Sequence, residues 1–170
     1  MTRYEDLCQA YVTSRNNYFA YHKECLEFCG RLLDGLVKNF EIPADRIRVI
    51  PVDQPPEPGK EYELAQVMKL APDTFWHFGL EITLCERPDL CLQQVMIRFR
   101  VKKEKSHFVV KLGNRAQEEF HIMPEVSADM RKVYDYIFQF VKNTFEHGLE
   151  EFLENPQPEN RHEKPRKIGF

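Results

Sequence analysis

Between residues 74 and 123 the chain alternates apolar and polar side chains through four successive stretches, TFWHFGLEITLC, LQQVMIRFRVK, HFVVKL and EEFHIM. A period of two sends alternate side chains to opposite faces of a strand. The links ERPDL, KEKS and GNRAQ are short enough for hairpins, so the stretches are constrained to an antiparallel meander. One face carries Trp76, Phe78, Leu80, Ile82, Val95, Ile97, Phe99 and Val101. A sheet with one apolar face must bury it against another layer.

The flanking sequence supplies that layer. From Arg3 to Phe40 apolar residues recur at helical spacing, although the helix-neutral run TSRNN at 13–17 predicts a bend or break in a rod that would otherwise span about 55 Å. Ser127 is placed to cap a second helix, with Met130, Val133, Tyr134, Ile137, Phe138, Val141, Phe145, Leu149 and Phe152 forming its stripe before Asn155-Pro156 ends it. RIRVIPV reads as an edge strand limited by Pro51, DQPPEPGK as an extended connector, and Leu64, Val67 and Met68 as a short helix. The expected fold class is α+β: an antiparallel sheet of four or five strands flanked by long N-terminal and C-terminal helices on one face. Residues 1–153 form one domain in this reading, and 154–170 a polar, flexible tail.

A net charge of -3 argues against wholesale nucleic-acid binding. The N-terminus has an acidic pair where a leader would be apolar, and no window approaches the length of a membrane span, so a cytoplasmic location and no membrane partner are expected. The five cysteines fall on predicted helices and strands, which reads as reduced thiols, even for Cys85 and Cys91 on either side of ERPDL. His22, Cys25 and Cys29 share a helix face, but no paired C-x-x-C accompanies them. Core packing is the expected role, with no metal and no cofactor. Tyr4, Tyr11, Tyr18 and Tyr21 are likewise expected to pack.

Function, if it lies on the sheet, belongs to the other face. Matching apolar faces across the links pairs Gly79 with Arg98, His77 with Arg100, Arg98 with Lys111, and Lys111 with His121, with Glu81 diagonal to Arg98. His77 and Glu81 stand roughly 13 Å apart along the strand and form no catalytic dyad. The basic row, beside a glycine that removes a side chain, is a candidate site for a small anionic ligand. Phe75, Met96, Val109 and Met123 on the same face, and Lys167, Ile168 and Phe170 in the tail, are candidate partner contacts. No G-x-S-x-G, Walker, G-x-G-x-x-G or H-E-x-x-H motif occurs. The leading reading is a non-catalytic protein-interaction module of adaptor, chaperone-like or regulatory kind, bound to a protein partner or forming a homodimer. A binder or hydrolase of anionic small molecules is the alternative, with His77, Glu81, Arg98 and His121 as its candidate catalytic groups. A nucleic-acid binder is weaker still.

Overall fold

The computed structural model describes residues 2–113 and 118–154, apart from the side chains at 92, 151 and 152. Helix α1 (Arg3–Phe40) opens on a capping box: the Glu5 amide donates to Thr2 Oγ1 (3.2 Å) and the Thr2 amide to Glu5 Oε2 (2.6 Å). It runs without interruption through 13–17, so the expected break is absent. The residues of TSRNN each cost at most about 0.7 kcal/mol in a helix, too little to stop one. Thr13 answers its own hydroxyl by donating to the Gln9 carbonyl, 2.9 Å away. Glu41, in the left-handed region at φ 53°, closes the helix ahead of Pro43.

Strand β1 (Ile47–Ile50), helix α2 (Leu64–Val67) and the two-residue β2 (Lys69–Leu70) lead into the meander. The meander consists of β3 (Trp76–Arg87), β4 (Leu90–Glu104), β5 (His107–Leu112) and β6 (Glu119–Ile122), and α3 (Ser127–Glu154) follows. The antiparallel sheet has the order β1-β3-β4-β5-β6, and β2 extends the same edge of β3 that carries β1. The fold class is the one the sequence indicates, with β2 added. No helix among the described residues is long and apolar enough to cross a membrane.

Both long helices lie on the apolar face. Phe28 of α1 stacks on Phe108 of β5 with ring centroids 3.9 Å apart, and Phe78 stacks on Phe99 at 5.0 Å. Cys25, Cys29, Leu32 and Leu36 from α1 and Val133, Tyr134 and Ile137 from α3 complete a continuous core. Each such side chain contributes on the order of 1.5–3 kcal/mol by leaving water. Cys25 and Cys29 are therefore core residues, as their helical spacing predicts.

Two parts of the expected register move. Between β3 and β4 the pairs Phe78–Phe99, Gly79–Arg98 and His77–Arg100 stand as expected. Between β4 and β5 the turn is only Lys105-Ser106, with Lys105 at φ 55°, so Val101 faces Val110 and Arg100 faces Lys111. Across β5 and β6, Val110 faces Phe120 and Lys111 faces Glu119, while His121 faces Val109. Each correction is a two-residue slip, which changes partners and preserves faces. A third correction concerns the thiols. Cys85 and Cys91 are joined by a disulfide across the bulged end of the β3–β4 hairpin, their Cα atoms 3.8 Å apart.

Candidate functional site

The polar face of the sheet is built by alternation and carries several strand-crossing rows. The longest runs Lys69, His77, Arg100, Lys111, Glu119 from β2 to β6. Most of its charges find partners. His77 Nε2 lies 2.9 Å from Asp73 Oδ2, Lys69 Nζ 2.9 Å from Asp53, and Lys111 Nζ 2.9 Å from Glu119. His121 is exposed, 2.9 Å from Glu119 and 3.1 Å from the His107 ring. Lys102 pairs with Glu104 at 3.1 Å. Burial alone would raise the Asp73 carboxyl, but the Phe75 amide, the His77 ring and the nearby Arg100 charge hold it below the usual aspartate value. The bond from Lys111 does the same for Glu119 against a weaker opposing effect of burial.

Gly79 does not open a space for a ligand. Its neighbour Ile50 on β1 lies over it, and a Cβ there would meet Ile50 Cγ1 at 2.8 Å, the Ile50 carbonyl at 3.1 Å and Val52 Cγ1 at 3.3 Å. Glu81 likewise answers to β1 and not to Arg98. It is buried, and Arg48 Nε donates to its Oε1 at 2.7 Å, which raises the Arg48 guanidinium further. This pair floors a cleft of about 570 Å³ whose walls include Arg46, Pro56, Pro58, Thr83 and Gln94. Sequence reading missed Arg48 because nothing local says that β1 adds to the β3 edge.

The apolar residues of this face do not form one patch. Val109 is buried, and Phe75 lies beneath the amines of Lys102 and Lys111, 5.8 and 4.9 Å from its ring centre. Met96 and Met123 are exposed. Lys167, Ile168 and Phe170 lie outside the described residues.

The larger uncovered apolar surface is on the helices. Every residue from Thr2 to Ala20 is exposed, and among them Tyr4, Leu7, Tyr11, Val12, Tyr18 and Phe19 retain 45–75% of their surface. Tyr4, Leu7, Tyr11, Ser14, Tyr18, Tyr21, Cys25, Phe28 and Leu32 alternate steps of three and four, a heptad seam. Its second half is core and its first half has no partner among the described residues. Tyr18, Tyr21 and His22 mark the changeover, gathered around Trp76. On α3 the same division is reversed: Val133, Tyr134 and Ile137 are buried, whereas Phe138, Phe140, Phe145, Leu149 and Leu153 are 43–68% exposed.

The two helices run in the same direction. Tyr134 abuts Gly35, and one turn later Phe138 meets Phe40, ring centroids 5.7 Å apart. Hence α1 extends past the core at its N-terminal end by about 27 Å, and α3 extends past the C-terminus of α1 by about 24 Å in the other direction. Compared with protein-family models, curated proteins and solved structures, the chain matches none of them.

Proposed function

We propose that this protein is a non-catalytic interaction module whose partner is a second copy of itself, held by the overhanging halves of α1 and α3. The carrying observation is the continuation of each helix's core stripe into a segment whose large apolar side chains stand exposed. Eleven large apolar side chains, each with roughly 100 Å² uncovered, offer on the order of 1,000 Å² per copy. A standard interface takes about 800 Å² from each partner, and the largest patch on a typical monomer is 300–600 Å². The α1 overhang carries Arg3 and Arg15 against Glu5 and Asp6, so its charge sums to zero and does not repel the acidic α3 overhang, which carries Lys142 against Glu146, Glu150, Glu151 and Glu154. A two-fold axis across the helices sets the α1 overhang of each copy antiparallel to the α3 overhang of the other, at both ends at once.

Light scattering on the eluting protein tests this, with Leu7→Glu and Phe145→Glu as separate variants. A dimer that either substitution converts to a folded monomer is expected. Loss with the α1 variant alone would favour pairing of α1 with α1, and a monomeric parent would remove the proposal.

A further inference from the structure

We propose that the sheet face centred on Arg100 binds a dianionic phosphate group carried by a small molecule. Arg100 has His77 and Lys111 as its direct cross-strand neighbours. Arg98 and Lys102, two residues either way along β4, share its face. Five basic side chains thus form a cross, four of them arginine or lysine, and like charges opposite one another, as at Arg100 and Lys111, weaken a ladder.

The fold gives three arms of the cross a carboxylate and leaves the centre and the Arg98 arm without one. Lys102, Lys111 and His77 have Glu104, Glu119 and Asp73. Among the described residues neither Arg98 nor Arg100 has a carboxylate in ion-pair contact. Asp73, whose carboxyl the Arg100 charge helps to lower, is engaged by the Phe75 amide and the His77 ring. Arg100 Nε is shut off from water and has no acceptor, a state shared among the described residues only by Trp76 Nε1.

An oxyanion supplies the missing counter-charge. A guanidinium fork takes two oxygens in parallel, and a second guanidinium two residues along takes the remaining charge. Two guanidinium groups with no carboxylate in direct contact match a dianionic phosphate better than a single carboxylate. The Phe75 ring, which accepts both lysine amines, keeps them turned toward the same ground. The helices cover the opposite face, so this site and the self-association surface stand or fall separately.

Inorganic phosphate is the probe, titrated against chloride at matched ionic strength. At ten times its dissociation constant phosphate should raise the melting temperature by roughly 3 °C or more, and amide signals of β4 and β5 should shift and saturate. Arg100→Met should abolish the shift and, by relieving repulsion, raise the melting temperature in phosphate-free buffer, while the exposed Arg131→Met changes neither. Arg98→Met should weaken binding at least tenfold and stands in if Arg100→Met does not fold. Equal effects of phosphate and chloride, or an unaltered response in both arginine variants, would overturn the site. So would tight binding of a single-stranded oligonucleotide with no response to inorganic phosphate.

Discussion

At Gly79 a methyl group has nowhere to go, because Ile50 and its carbonyl occupy the ground above the Cα. Gly79→Ala should therefore cost about 1–3 kcal/mol in denaturant unfolding, the range of an overpacked core; a neutral substitution would mean that β1 yields. The glycine was conspicuous in the sequence, but its reason was not, since parity within a meander says nothing about which distant strand adds to its free edge. The same gap hid Arg48, the partner of Glu81. Removing it by Arg48→Met should cost about 3 kcal/mol, because the Glu81 carboxylate stays buried without its donor. At the far edge, Glu119 owes its lowered value mainly to the bond from Lys111. Lowered in the folded state, the group contributes stability fully above its ordinary value of 4.5 and loses it as pH falls through the depressed one. Glu119→Gln should therefore cost more stability at about pH 6 than at about pH 3, and equal losses would contradict the pairing.

Elements were more legible than their partners. Period two gave the four strands of the meander and period 3.6 gave both long helices, since each pattern is set within the element. Turn chemistry decided the rest. Lys105 accepts a left-handed backbone and lets β4 and β5 meet in a two-residue turn, which nothing in KEKS announces as Asn-Gly would. The slip moved Lys111 from Arg98 to Arg100 and so moved the centre of the basic cluster. The cysteines make a second test at this scale. With Cys85 and Cys91 joined, unfolded but unreduced protein should show three thiols, Cys8, Cys25 and Cys29. In the native protein only exposed Cys8 should react quickly, because burial pushes the Cys25 and Cys29 thiols up. Five thiols in unfolded, unreduced protein would place Cys85 and Cys91 in the reduced state that a reducing compartment favours.

On the scale of the whole molecule, the helices are longer than the core they cover. The sequence displays Tyr4, Leu7, Tyr11 and Tyr18 on the same stripe as Cys25, Phe28 and Leu32, and helical spacing alone assigns all of them to packing. Only the extent of the sheet shows where intramolecular packing stops, and that extent depends on strands brought together from distant parts of the chain. Deleting residues 2–16 should leave the cooperative unfolding of the core nearly unchanged, since none of these residues is buried. It should abolish self-association. The direct measurement is the solution mass of the full chain by sedimentation equilibrium, across a concentration range and at moderate salt. A mass of twice 20.3 kDa, falling to the monomer in Leu7→Glu without loss of helical signal, is the predicted result. A monomer at every concentration would contradict the account.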